Sequence, residues 1–393
     1  MVYLNRLGMV CSLGNDLEEV GRRMFQAESG VELAQDFLPG RSLPLGRIDA
    51  KFSLPSLEEF PLPDRSRNNQ LALAALAQIR PALDDAIERF GADRIAVVIG
   101  TSTSGIAEGE SALREFARSG ALPEHFHYGQ QELGSPAAVL AKILDVSGPA
   151  YVHASACASS AKALASAARL LSMGLCDAVL AGGVDSLCAF TVAGFAALES
   201  VSATRCNPLS RNRNGINIGE GAALFLMSTE PAVVSLCGWG ESSDGHHMSA
   251  PDPAGVGARL AIERSLTRAQ INCAQVEYIN LHGTATLQND AMEAAVVHRI
   301  FGDSVPVSST KPFTGHALGA AGAIEAGLCW LAMQDNNRTG KLPPHLWDGM
   351  ADPALPRLNI AEAGASLGHP LRCVVSNSFA FGGANASLVL ARE

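Results

Sequence analysis

The chain has 393 residues, 47% of them hydrophobic and 17% charged, with a net charge of −10. This composition excludes a disordered or fibrous protein, and the length allows two domains or one large α/β body with a generous core. The acidic balance argues against a nucleic-acid partner.

The opening, "MVYLNRLGMVCSLGNDLEEV", has no basic segment leading into an apolar one, so no signal peptide is expected. Residues 38–64 hold five prolines and little periodicity, which predicts a surface excursion. Short apolar runs bounded by glycine at 94–105, 150–157 and 177–186 read as buried parallel strands. Between the last two lies "ASSAKALASAARLLSMG", an alanine-rich helix with Gly174 as its C-terminal stop. Strand, helix, strand in this order is a βαβ unit. The tract "CDAVLAGGVDSLCAFTVAGFAALES" carries Asp177 and Asp185, so it reads as buried strand and helix and not as a membrane span.

A second set of runs follows at 232–245, 277–286, 305–316 and 373–391. "SACASSAKALASAARLL" and "GHALGAAGAIEAGLCWL" both run from a polar residue into a helix of tiny residues. Helices so poor in bulk pack very closely, often against each other. The pattern points to a duplicated fold with halves 1–230 and 231–393.

The nine cysteines are scattered, with no CxxC pair and no zinc spacing, which points to a reducing, cytoplasmic setting and no metal. Cys157 stands apart, because it sits where a strand runs into the alanine-rich helix. A helix start presents unpaired N–H groups and partial positive charge, and both stabilise a thiolate. His282, Lys311, His316 and Glu325 also lie at strand ends or helix starts in apolar surroundings, and "NSFAFGGAN" is a glycine loop. Each alone reads equally as structure: a core thiol, a hydrogen-bonded histidine, a capped loop, a tight turn. Together they fit one chemistry. A thiolate takes an acyl group as a thioester, two imidazoles stabilise an enolate, and helix-start and loop amides form an oxyanion hole.

Six motifs in order are similar to those of the β-ketoacyl-acyl carrier protein synthases, condensing enzymes of the thiolase superfamily. They are "LGMVCSLGND", "SACASSAKA", "NPLSRNRNGINIGEGAA", "HGTATLQND", "KPFTGHALGAAGAIEA" and "NSFAFGGANA". The chain resembles the elongating Cys-His-His branch across nearly its whole length. The resemblance implies an α/β thiolase-like fold of duplicated βαβαβ halves, layered α/β/α/β/α. It implies Cys157 as the acylated nucleophile and its amide as one oxyanion donor. His282 and His316 would assist malonyl decarboxylation, with Lys311 and Glu325 holding the electrostatics. Phe381 would gate the site and give the second oxyanion amide, with Phe379 beside it. Thr284 and Thr286 would contact the phosphopantetheine arm, which arrives on the carrier, so no cofactor is expected.

Three departures stand out. Leu287 replaces the usual proline, with Gln288 and Asn289 next, and Ala380 replaces a common glycine, which stiffens the gate or moves its hinge. The stretches "SSDGHHMSAPDP" and "LQNDAMEA" resemble aryl-polyene-type ketosynthases. That likeness implies a chain-length-factor-like partner, in place of or beside a second copy, meeting the chain through the strand near 148–155. Arg65, Arg67, Arg211 and Arg213 are candidate contacts to an acidic acyl carrier protein. A non-catalytic partner subunit is the rival reading, and the retained Cys157, histidines and lysine argue against it. A degradative thiolase would carry a second catalytic cysteine in the C-terminal glycine loop, and "AFGGANA" has none.

Overall fold

The structure, a computed structural model, describes all 393 residues. The first half runs β1 (Tyr3–Cys11), α1 (Leu17–Phe25), β2 (Val31–Ala34), β3 (Leu43–Gly46), α2 (Arg67–Phe90) and β4 (Ile95–Gly100). It continues with α3 (Ile106–Ser119), α4 (Ser135–Leu144), β5 (Ala150–His153), α5 (Ser159–Ser172), β6 (Ala178–Asp185), α6 (Ala189–Ala197) and β7 (Gly221–Ser228). The second half begins with β8 (Val234–Ser243), α7 (Val256–Ala269), β9 (Tyr278–Asn280), α8 (Leu287–Phe301) and β10 (Pro306–Ser308). It ends with α9 (Lys311–Thr314), α10 (Ala321–Ala332), β11 (Asn359–Ile360), β12 (Cys373–Phe379) and β13 (Ala384–Arg392).

Eleven strands form one sheet in the order β11-β10-β9-β12-β13-β8-β1-β7-β6-β4-β5. In the first half β5, β4 and β6 are parallel, and β7 and β1 follow antiparallel. In the second half β10, β9 and β12 are parallel, and β13 and β8 follow antiparallel. Strand order and direction therefore repeat, with β11 added at one edge. The repeats meet where β1 and β8 pair antiparallel at Tyr3 and Ser235. β5 is the opposite edge, bonded to β4 alone.

The duplicated, layered arrangement expected from the sequence is present. α5 packs on β4 and β6 of its own half and on β8 and β13 of the other. α10 packs on β12 and β13, and also on β1, β6 and β7. α2 and α4 cover the outside of the first half, and α7, with α8 beside it, covers the second. The small residues of α5 and α10 are explained by how close everything comes. A Cβ on Gly100 would fall 2.3 Å from the Ser160 backbone nitrogen, and one on Gly322 would fall 3.0 Å from the Ala161 Cβ. A larger side chain at either contact would overpack the middle layer.

Three local expectations are corrected. The excursion at 38–64 contains β3, which pairs with β2 and buries Leu43 and Leu45, because two leucines on alternate positions can anchor a proline-rich loop. The run 373–391 is an antiparallel pair, β12 and β13, folded back at the Gly382–Gly383 turn. Helix α6 buries only Val192 and leaves Phe190 exposed; its glycine and alanines offer no stripe wide enough to bury. The 24-residue α2, started by the Ser66 side chain accepting from Asn69 N, is an addition to the expected elements. No helix is long and apolar enough to cross a membrane.

Candidate active site

The loops after the parallel strands converge at one end of the sheet, where their C-terminal ends leave a crevice. The loop after β5 carries the nucleophile candidate. Ala156 adopts φ 49°, a left-handed conformation costly for a residue with a Cβ. Ser159 Oγ holds the bend, accepting from Ser155 N at 2.8 Å and donating to Ala156 O at 2.6 Å. The bend places Cys157 just before α5, with its sulfur 3.0 Å from His316 Nε2. Burial pushes the Cys157 thiol up to about 12, while the Lys311 charge and the Phe381 backbone N–H pull it down. The N-terminal field of α5 also pulls it down.

The second half supplies the ionisable partners. His282 follows β9, Lys311 opens α9 after β10, and His316 lies between α9 and α10. The two imidazoles are 5.4 Å apart and nearly perpendicular. Burial, then the Lys311 charge, hold both well below the usual histidine range, so both rest neutral. Lys311 Nζ lies 3.4 Å from His282 Nδ1 and pairs with Glu325. An ammonium can only donate, so Nδ1 accepts and the His282 proton sits on Nε2. Lys311 is 1% exposed and Glu325 2%, so this ion pair is fully desolvated. The donor atoms of Cys157, His282 and His316 lie within 4.8 Å of one another and could bracket a metal ion; the adjacent Lys311 ammonium opposes a dication there.

These groups rest on residues that sequence reasoning missed. Glu293 on α8 accepts from His282 N at 2.8 Å and Gly283 N at 2.7 Å. Burial pushes its carboxyl up to about 7 against those two bonds. Asp290 accepts from Ala285 N at 3.1 Å, fixing the turn that carries Thr284 and Thr286. The His316 backbone is clasped by Asn217 O at 2.6 Å and Gly219 N at 2.9 Å. Acidic residues three apart within a motif are the signal for the α8 pair.

Cys157, His282, His316, Thr284, Thr286, Phe379 and Phe381 line one cleft of about 560 Å³, with Phe195 and Ile216 opposite. The Phe381 and Phe195 rings stand 5.4 Å apart. Ala380 takes φ −101° and ψ 157°, ordinary extended backbone. The left-handed positions are Gly382 and Gly383, both at φ 77°, so the turn relies on these glycines and Ala380 introduces no strain.

The four arginines do not form one patch. Arg67 is bidentate to buried Glu220 at 2.8 and 2.6 Å. Arg213 is 7% exposed and pairs with Asp352 at 2.5 Å. Arg213 is a buried tie between loops, which corrects its assignment to a carrier surface, while Arg67, the first residue of α2, stays partly exposed beside Glu220. Arg65 and Arg211 remain exposed, though Arg65 donates to the carbonyls of Phe60 and Glu58.

A two-part fold with a buried Cys-His-His-Lys site between its halves defines a condensing enzyme. Two family descriptions match, "Beta-ketoacyl synthase, N-terminal domain" over residues 7–232 and "Beta-ketoacyl synthase, C-terminal domain" over 233–346. A 3-oxoacyl-[acyl-carrier-protein] synthase 1 of Haemophilus influenzae is 32% identical, over 98% of this chain and 97% of that protein. Among solved structures, the ketosynthase ApeO in complex with its chain length factor ApeC, from Xenorhabdus doucetiae, is 44% identical. That match covers 100% of this chain and 98% of the other, with a TM-score of 0.93. The ishigamide ketosynthase/chain length factor is 25% identical with a TM-score of 0.89, covering 100% and 99%. The chain belongs to the β-ketoacyl synthase family. It is an acyltransferase of the 3-oxoacyl-[acyl-carrier-protein] synthase class, catalysing decarboxylative condensation in fatty-acid or polyketide biosynthesis.

Proposed function

We propose that Cys157 carries the growing chain and that the four second-half groups activate the malonyl unit. The carrying observation is the 3.0 Å contact of Cys157 Sγ with His316 Nε2 beside a neutral His282. Cys157 attacks the acyl thioester as its proton passes to His316 and on to the departing carrier thiol. The oxyanion meets the amides of Cys157 and Phe381. Malonyl-carrier protein then enters past Thr284 and Thr286, which hold its phosphopantetheine arm. Carbon dioxide leaves, and the Nε2–H of His282 holds the enolate oxygen, with His316 beside it. The enolate carbon attacks the acyl carbonyl, the Cys157 thiolate leaves and takes up a proton, and a 3-oxoacyl thioester two carbons longer results. Lys311 and Glu325 keep His282 in the donating tautomer. This needs no metal or resident cofactor.

The reading extends to a cytoplasmic enzyme of an aryl-polyene-type pathway that pairs along β5 with a chain-length-factor-like subunit. Its support is the open β5 edge and the 44% identity to a ketosynthase solved with its chain length factor. An uncovered edge strand is otherwise an aggregation hazard. The carrier would be recognised at Arg211 and Arg65.

Intact-mass analysis of wild type and Cys157→Ala, each mixed with acyl-carrier protein, tests the core of this. A single acyl adduct on wild type alone, followed by elongation with malonyl-carrier protein, is expected. An adduct that persists on Cys157→Ala would refute it. Loading that appears only after a candidate partner subunit is added would make the chain half of an obligate heterodimer.

A further inference from the structure

Asp185, at the end of β6, is a fully buried charged group that the condensation scheme leaves unused. It is 0% exposed and has no cationic partner. Its carboxylate instead collects donors from two segments. Thr101 Oγ1 donates at 2.6 Å, Ser102 N at 2.8 Å, Thr103 N at 2.8 Å and Thr103 Oγ1 at 2.9 Å. Gly319 N donates at 2.6 Å from the loop just after His316.

The hydroxyls are fixed as donors. Thr101 Oγ1 already accepts from Ser104 N, and Thr103 Oγ1 from Ser186 N, so their hydrogens are free for Asp185. Backbone N–H groups reach both oxygens, Ser102 and Thr103 on Oδ1 and Gly319 on Oδ2. Five neutral donors pull its carboxyl down, and burial, the larger influence, pushes it up. Such a group is expensive to bury unless every lone pair is used.

Two short links lead from it to the reacting atoms. Ser102 Oγ donates to Ala156 O at 3.2 Å, and Ala156 is the strained residue before Cys157. Gly319 is three residues from His316, and a Cβ on it would fall 2.8 Å from Asp185 Oδ2 and 2.7 Å from Ser102 Oγ. We infer that Asp185 is a positioning residue that locks the nucleophile bend to the second-histidine loop and so sets the Cys157–His316 contact. It touches neither sulfur nor imidazole and acts through Ser102 and Gly319. Its charge also works against the thiolate, since Asp185 is among the groups that push Cys157 up. This assignment rests on reading Cys157 and His316 as a reacting pair.

The test is the pH–rate curve of Cys157 alkylation by iodoacetamide, followed by intact mass, beside elongation rate and thermal midpoint. Asp185→Asn removes the charge and turns an amide N–H toward backbone donors. The alkylation curve is expected to move to lower pH by about one unit, while elongation falls about tenfold or more because the loops separate. Asp185→Glu restores the charge and returns the alkylation curve toward wild type. A folded Asp185→Asn protein whose alkylation curve does not move overturns the proposal. Should that variant not fold, Ser102→Ala decides: elongation slowed about threefold or more at an unchanged thermal midpoint supports it, and an unchanged rate refutes it. Alkylation needs no carrier or acyl donor, so a wild type that fails to load would sink the ketosynthase roles while leaving this test standing.

Discussion

Cys157 follows β5 in the first half of the molecule, and Lys311 and His316 follow β10, its counterpart in the second. Thr101–Thr103 follow β4 in one half, and His282 follows β9, its counterpart in the other. Asp185 ends β6 in the first, and the Phe379–Gly383 turn runs from the end of β12 in the second. The first half thus supplies a single nucleophile in a bed of hydroxyls and amides, and the second supplies every imidazole and the ammonium. Concentrating the ionisable groups on one side lets Lys311 act on both histidines at once, with the acyl thioester presented from across the cleft.

The sharpest way to break this division is at the nucleophile. Cys157→Ala should lose the acyl adduct and lower elongation by about a thousandfold or more, with thermal unfolding little changed; any residual adduct would place the nucleophile elsewhere. His282→Ala should lower elongation by about 10²–10⁴ while Cys157 still loads in an intact-mass assay. Loss of loading as well would show that the halves do not divide the work.

Lys311→Ala leaves Glu325 as an uncompensated buried charge and should cost about 3–5 kcal/mol in denaturant unfolding. The double variant Lys311→Met, Glu325→Gln should recover most of that stability without recovering activity. Glu293 sharpens the electrostatic contrast through pH. Its folded value of about 7 lies above the ordinary glutamate value of 4.5, so the folded state holds a proton that the unfolded chain releases. That contribution is complete below the unfolded value and is lost as pH rises through about 7. The thermal midpoint of wild type should therefore fall relative to Glu293→Gln across this window; parallel curves would count against it. The smallest effect is expected at Arg211→Ala, a rise of about two- to fivefold in KM for acyl-carrier protein at constant kcat.

The reacting groups were legible because each is an ionisable residue stranded in an apolar run at a strand end, where burial needs a reason. The supports were not. Asp185 was visible only as an interruption of an apolar tract, since its donors come from 82 to 134 residues away. The pairings of Arg67 and Arg213 were hidden for the same reason. Their partners Glu220 and Asp352 lie 153 and 139 residues distant, and a sequence does not show which charges neutralise each other across such gaps. The fold was legible where strands alternate with small-residue helices. It was least so in α2, whose helical period is diluted by polar residues and Pro81, and in α6, whose composition says buried although its face is open.

The position of β1 carries a consequence for how the chain is made. Residues 3–11 pair with residues 221–228, and Tyr3 reaches Ser235. At a synthesis rate of about 5–20 residues per second, the first strand emerges on the order of tens of seconds before its partners exist. Throughout that interval this apolar segment lacks the strands it will pair with. The β1–β7 seam can therefore close only after more than half of the chain has been made, and the β8–β13 seam next to it waits for residues 384–392.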